Sequence, residues 1–305
     1  MKIILIGATG FIGQQLVKNL SSKKHHLTIV SRNKAKAEKI FLNHSDFAGW
    51  DGRDPKALTD IINCSDAVIN LAGESIAGGR WTDKRKQQIL SSRIQSTKAV
   101  VNAINEADKK PKVLIQASAV GYYGADNIRT FDENSSAGKG FLADVTVQWE
   151  QAAKELDKSV RVVFLRTGVV LDYNGGALPK MAMPFKLGIG GHIGLGKQWF
   201  SWIHIDDEVR AIEFLLENEN AFGPFNLTAP EPVTMKEFSK TLGKALKRPS
   251  WLHVPSFAIK LLMGKMGEEM LLSGQRVVPK KLMELGFTFR YTIVFDALKS
   301  IFSPG

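Results

Sequence analysis

The stretch KIILIGATGFIG, residues 2–13, limits the fold more than any other part of the chain. A short apolar, β-branched run passes directly into Gly7, Gly10 and Gly13, spaced three apart, and then into a helical pattern from Phe11 to about Leu20. A strand that enters a glycine-rich turn and leaves as a helix opens a βαβ unit. Gly7 allows the tight turn, Gly10 leaves the backbone bare for a pyrophosphate, and Gly13 lets the helix lie close to the sheet. The helix start then offers free N–H groups and a partial positive charge to phosphate oxygens. Thr9, Phe11 and Ile12 stand in the same turn and join the three glycines as candidate cofactor contacts.

The rest of the first half repeats this alternation. HLTIV, DAVINLA, KVLIQAS and RVVFLRTGVVL read as further strands with helical patterns between them. The clearest helix is expected from about Asp83 to Asp108, with Leu90, Ile94, Thr97, Val101 and Ile104 along one face. Such alternation implies right-handed crossovers and a parallel sheet covered on both sides. The expected class is α/β, a Rossmann-type doubly wound parallel sheet over residues 1–170, with 203–228 returning to it. Residues 171–202 and 229–305 are expected to form a smaller, mostly helical substrate lobe. Its Gly- and Pro-rich start has little periodicity, and long loops in compact domains are usually functional. Asp206 or Asp207 is the expected N-cap of the helix after WIHI, and Thr234 with Glu237 has capping-box spacing.

Composition narrows the function classes. The 305 residues are 44% apolar and 23% charged, an ordinary globular balance. No apolar run approaches a membrane span, and the N-terminal stretch lacks the cleavage site of a signal peptide, so a cytoplasmic protein is expected. The single cysteine, Cys64, cannot form an internal disulfide and reads as a small buried apolar residue. A net charge of +11 admits an anionic partner. The lysines of KNLSSKK, NKAKAEK, DKRKQQ and KKPK, however, sit on helix surfaces without interleaved aromatics and read as solvated faces. A small-molecule substrate is expected, with neither nucleic acid nor membrane as partner and the oligomeric state open. The histidines are scattered and suggest no metal site.

The end of the second strand bears on cofactor choice. A carboxylate there would accept hydrogen bonds from a ribose 2′-hydroxyl, but the chain has IVSRNK, with Ser31 and Arg32 in place. A guanidinium grips a 2′-phosphate that a carboxylate would repel, so NADP(H) is the expected cofactor. Asp51, in WDGRDP, stands where the third strand should end and can meet the adenine edge. Leu71, Ala72, Gly73 and Glu74, in NLAGE, end the next strand with mostly small residues that let a cofactor approach.

In ASAVGYYG, Ser118 precedes Tyr122 and Tyr123 at a strand end. A serine hydroxyl can hold a carbonyl and a tyrosine can deliver a proton to it, so these three are the candidate catalytic residues. Arg166 and Gly168 end a later strand near the expected nicotinamide and are further cofactor candidates.

In their order along the chain, GATGFIG, NLAG, SASAVGYYG, LRTGVVL and WIHIDDEV resemble the extended and atypical short-chain dehydrogenase/reductases. More narrowly, NLAGESIAGGRWTDKRKQQILSSR, GGALPKM, QWFSWIHIDD, TAPEPVTMKEF and SGQRVVPKKLMELGF are similar to an NAD(P)-dependent epimerase-family group that ends in a domain of unknown function. The resemblance covers nearly the whole chain and implies a Rossmann domain, a small C-terminal lobe and an unassigned reaction. It also implies a Tyr-x-x-x-Lys pair on the helix after the serine strand. Aligning on Glu150 puts Leu142 at the tyrosine position and Thr146 at the lysine position. Without that lysine, holding a tyrosine as phenolate at pH 7 would cost roughly 4 kcal/mol. A neutral phenol can still donate, so a slow reductase is open while an efficient epimerase is disfavoured.

His204 can be a general base or a structural hydrogen-bonder. Arg80 and Trp81, with Lys197, Trp199 and Trp202, can form a pocket for an anionic substrate or simply lobe core, and Glu74 is a further candidate base. Two readings remain: an NADP-dependent oxidoreductase or epimerase-type enzyme, and a non-catalytic NADP(H) sensor that serves a partner.

Overall fold

The computed structural model describes residues 1–42 and 46–302. Strand β1 (Lys2–Ile6) lies near the centre of a seven-stranded sheet and is buried from Ile3 onward. The strands that join it are β2 (His26–Ser31), β3 (Asp46–Gly49), β4 (Ala67–Asn70), β5 (Val113–Ala119), β6 (Arg161–Thr167) and β7 (Gly223–Leu227). Their spatial order is β7-β6-β5-β4-β1-β2-β3 and every pairing is parallel. The order reverses between β1 and β4, where an open α/β sheet forms its ligand crevice at the carboxyl ends of the strands.

The period of two along each strand divides the core into two layers. Ile3, Leu5, Ile29 and Ile115 point to one face, where they meet helix α1 (Phe11–Ser22) through Leu16 and Leu20. Ile4, Ile6, Val68 and Leu114 point to the other face, toward Leu58, Ile62, Val100 and Ile104. Those side chains belong to α3 (Lys56–Ile62) and α4 (Asp83–Glu106), while α2 (Lys34–Phe41) follows β2. The core stripe of α4 is Ile89, Thr97, Val100, Val101 and Ile104, so Leu90 and Ile94 lie at its margin rather than on it.

Helix α5 (Phe141–Gln151) leads into β6. RVVFLRTGVVL does not stay in one sheet. β6 stops at Thr167, and Val169–Leu171 turns away to pair with Trp202–His204. The chain then forms α6 (Leu178–Lys186) and α7 (Ile205–Glu217), and α7 covers the same face as α1. β7 is the last strand to enter the sheet. The lobe is completed by α8 (Met235–Leu246), α9 (Ser256–Leu271, broken at Gly264) and α11 (Val294–Phe302), whereas α10 (Lys280–Glu284), expected in the lobe, packs on β7 and buries Leu282 in the core of the main sheet. The lobe's own core is Leu178, Phe185, Trp202, Phe238, Leu242 and Leu298.

Thr234 and Glu237 form the expected capping box. The cap of α7 differs from expectation: it is His204, whose Nδ1 accepts the Asp206 N–H at 3.1 Å. Asp207, fully buried one turn on, instead accepts the N–H groups of Arg290 and Tyr291 and pins the C-terminal segment. Cys64 also departs from expectation. It is exposed, with φ of 63°, because the tight turn into β4 turns its side chain outward. Among the described residues, no helix is long and apolar enough to cross a membrane.

Candidate functional site

Two recesses open along the carboxyl edge of the sheet. The first, about 740 Å³, is lined by the ends of β1, β2 and β4 and by one face of α4. Gly7 has φ of 84°, and a Cβ there would stand 2.7 Å from the Leu71 carbonyl carbon. A Cβ on Gly13 would stand 2.6 Å from the carbonyl oxygens of Gly7 and Ala8. Both positions therefore exclude a side chain, the first through turn conformation and the second through the approach of α1 to the turn. No side chain caps α1 at Gly10, so its first-turn N–H groups remain available for an anion. Thr9 and Gly10 line the cleft, whereas the side chains of Phe11 and Ile12 pack against the core.

Around the rim stand Ser31, Arg32, Asn33 and Lys36 on one side and Asp51, Gly52 and Arg53 on the next. Ser31 Oγ accepts the Asn33 N–H at 3.2 Å, and Asn33 caps α2, so the loop holding Arg32 is fixed locally. The Arg32 side chain is exposed, with one amine 3.8 Å from Glu74. Asp51 accepts the N–H groups of Arg53 and Asp54, which hold its carboxyl below the usual range. Leu71, Ala72, Gly73 and Glu74 form the opposite wall. Asn70 braces that wall by accepting the Ala72 N–H while donating to Gln116. A dinucleotide fits this donor set: bare backbone and helix amides for the diphosphate, and cations at the ribose end.

The second recess, about 370 Å³, lies between the ends of β5 and β6 and the C-terminal lobe. Gly168 lines it, as do Ala119, Thr167 and Ser201. Leu142 and Thr146, at the expected tyrosine and lysine positions, face it too. The Thr146 hydroxyl donates back to the carbonyls of Leu142 and Ala143, at 2.8 and 3.0 Å. Trp149, Trp199, Met270 and Gln275 complete much of the wall. The ionisable groups on it are Arg93, Lys139 and Glu269, and Glu269 accepts the Leu142 N–H at 3.2 Å.

Ser118, Tyr123 and Arg166 line neither recess. Strand alternation explains Ser118: Ala119 reaches the recess and its neighbour points the other way. Ser118 Oγ donates to Glu150 Oε1 at 2.7 Å. Arg166 grips the same carboxylate and donates to the Tyr123 hydroxyl at 3.0 Å. Tyr123 in turn donates to Asn226 on β7 at 2.7 Å. Burial pushes the Tyr123 phenol up to about 12, despite the neighbouring guanidinium. Tyr122 lies under that guanidinium, 3.5 Å from ring centroid to Cζ, and borders a separate groove beside Glu150. Ser118 and Tyr123 thus sit in a buried polar network that ties β5, β6, α5 and β7 together, with the half-buried Tyr122 ring laid against its guanidinium.

The other candidates also find places. His204 is buried, caps α7 and stacks 4.0 Å from Tyr291, which is the structural alternative. Trp202 is lobe core, Trp81 packs edge-on against Phe141, and Arg80 donates to the Leu261 carbonyl. Of the five groups considered for an anion pocket, only Trp199 lines the recess. Among the described residues, His25, Glu213 and Glu217 could approach a metal ion together. Glu213 is already held by Lys23 at 2.6 Å and Asn19 at 3.0 Å, at the opposite edge of the sheet.

The sequence missed Arg93. It lies on the α4 face adjoining Trp149, over whose ring it stands at 4.8 Å, and its guanidinium abuts Gly73. Burial pushes its pKa down to about 10, against the pull of the Glu74 carboxylate. Its helical register with Ile89 and Thr97 was the available signal.

Comparison with known proteins agrees with this geometry. Residues 3–227 match the profile of the NAD dependent epimerase/dehydratase family, and residues 254–301 match a domain of unknown function, DUF1731. The chloroplastic epimerase family protein SDR39U1 homolog of Arabidopsis thaliana is 46% identical over 303 residues, 99% of this chain and 86% of the relative. The epimerase family protein YfhF of Bacillus subtilis is 42% identical, covering 99% of this chain and 98% of its own. The crystal structure of human epimerase family protein SDR39U1 with NADPH superposes with a TM-score of 0.89 at 34% identity, covering 99% of both chains. UDP-glucuronic acid 4-epimerase of Bacillus cereus shares the fold, with a TM-score of 0.78 at 19% identity over 99% of this chain and 98% of its own. The resemblance read from the motifs is borne out, and the chain belongs to the NAD dependent epimerase/dehydratase family, in the branch that carries a C-terminal DUF1731 domain.

Proposed function

We propose that the protein is an NADP(H)-dependent oxidoreductase of epimerase type, acting on a small molecule held in the second recess. The observation that carries this is the β2 end. Arg32, Asn33 and Lys36 line the cleft where a carboxylate would otherwise meet the ribose. The human relative whose structure is described with NADPH supports the same choice. When bound, the nicotinamide supplies or accepts a hydride. The chain's own part is to hold the diphosphate on the Gly7–Gly13 turn, to fix the ribose end, and to enclose a substrate between Ala119, Leu142 and Trp149. Lys139 and Glu269 are the side chains on this wall, apart from the guanidinium, that can exchange a proton.

The test is cofactor titration. Wild-type protein should bind NADPH at least tenfold more tightly than NADH. Arg32→Ala should weaken NADPH by more than tenfold and NADH by less than twofold. Equal losses for the two would remove the 2′-phosphate role.

A second reading is favoured by one observation: the side chain that β5 turns to the recess is Ala119, which has no hydroxyl to hold a carbonyl, and the Thr167 hydroxyl at the end of β6 is engaged with Glu208. On this reading the protein is a non-catalytic NADP(H) sensor. It predicts no NADPH oxidation across a panel of ketones, aldehydes and sugar nucleotides, and a partner whose affinity differs between the NADPH and NADP⁺ forms.

A further inference from the structure

Arg93 is a half-buried cation without a carboxylate in contact among the described residues. Its one hydrogen bond to the protein among the described residues goes from Nη1 to the Ile89 carbonyl, at 2.9 Å. A guanidinium has five N–H donors in a rigid fork. The Trp149 ring stands 4.8 Å from Arg93 Cζ, and among the described residues Nε and Nη2 donate to no protein acceptor, which leaves them for a ligand. Two other arginines in the same region have carboxylate partners, although Arg85 Nε is buried without a hydrogen bond. Arg85 is close to Glu74 and donates to the Ser75 carbonyl, and Arg166 holds Glu150. Arg93 alone of these lines the second recess.

Around it the wall is largely apolar: Ile76, Leu142, Val145, Trp149 and Met270. Gly73, on the other side of the guanidinium, belongs to the wall of the dinucleotide cleft, so Arg93 stands where the two recesses adjoin. A fork donor at one end of an apolar chamber matches an amphipathic anion. The planar edge suits a carboxylate, which it can meet with two parallel hydrogen bonds.

We propose that Arg93 anchors a carboxylate of the substrate, and that the second recess selects small molecules with one carboxylate and an apolar body. The proposal rests on the reading that this recess is the substrate site. Arg93 is thereby a binding and specificity residue, and the chemistry falls on the part of the molecule extended from the anchored end toward Gly168 and Ala119.

The experiment titrates the protein, with and without saturating NADPH, with benzoate and hexanoate and with their uncharged amides, by calorimetry. The acids should bind at least tenfold more tightly than the amides. Arg93→Gln should abolish that difference while NADPH affinity stays within twofold, and Arg93→Lys should retain part of it. Inorganic phosphate should not displace benzoate. Equal binding of acid and amide, or no binding of either acid, overturns the proposal. So does displacement by phosphate, or a tenfold loss of NADPH affinity in Arg93→Gln. The acid–amide comparison uses unaltered protein and needs no variant to fold. The titration without NADPH keeps a failure of this proposal distinct from a failure of the cofactor reading.

Discussion

Arg166 and Glu150 meet through two hydrogen bonds, Nε to Oε1 and Nη2 to Oε2, each 2.8 Å. The arginine side chain is 4% exposed and the glutamate 13%. Removing one partner of such a pair strands the other charge, which typically costs about 3–5 kcal/mol. Arg166→Leu should lower the unfolding free energy by that order, read from urea denaturation. Arg166→Leu with Glu150→Leu should recover much of the loss. A single variant within about 1 kcal/mol of wild type contradicts the pairing.

Tyr123→Phe removes the hydroxyl that joins Arg166 to Asn226. Leaving the buried Asn226 acceptor unpaired should cost about 1–3 kcal/mol of stability. NADPH affinity should stay within twofold, since Tyr123 does not line the cleft. A large loss of cofactor binding at unchanged melting temperature would return Tyr123 to the site.

Gly13→Ala places a methyl carbon 2.6 Å from two backbone carbonyl oxygens. Backbone cannot step aside as a flexible side chain can, so α1 must lift from the turn. The variant should melt at lower temperature and bind NADPH at least tenfold more weakly. Normal cofactor affinity would show that the turn tolerates the displacement.

Glu208, fully buried on α7, accepts a hydrogen bond from Thr167 at 2.9 Å, and its other oxygen has no partner. Burial raises its carboxyl from 4.5 to about 8. The folded state therefore keeps a proton that the unfolded chain releases above about 4.5. The neutral carboxyl's contribution to stability is fully present below that pH and is lost as pH rises through about 8, at roughly 1.4 kcal/mol per unit. Glu208→Gln should flatten this dependence and raise the relative stability at pH 8. Parallel stability curves for the two proteins between pH 5 and pH 8 would refute the shift.

The placement of the glycine turn and of Arg32 along the first recess was legible because its signals are local. Gly7, Gly10 and Gly13 are read from adjacent strand and helix, and Arg32 from its place at the end of β2. Ser118 was harder: its residue type suggested chemistry, but a one-residue shift in a strand changes the face, and Ala119 is the one turned to the recess. The roles of Tyr123 and Arg166 depend on Asn226, which comes from a strand far along the chain. Arg93 was hidden for the same reason, since its lack of a partner is a property of the packed α4–α5 interface. Leu142 and Thr146 were found through alignment on Glu150, and both line the recess.

The late arrival of β7 has a consequence for biosynthesis. Until residues 223–227 emerge from the ribosome, the outer side of β6 has no strand to receive its N–H and C=O groups. A nascent or prematurely terminated product that stops in the excursion would carry a bare, apolar sheet edge, the kind of template on which chains self-associate. Completing the sheet and protecting it from aggregation are thus one event, which comes when β7 docks on β6.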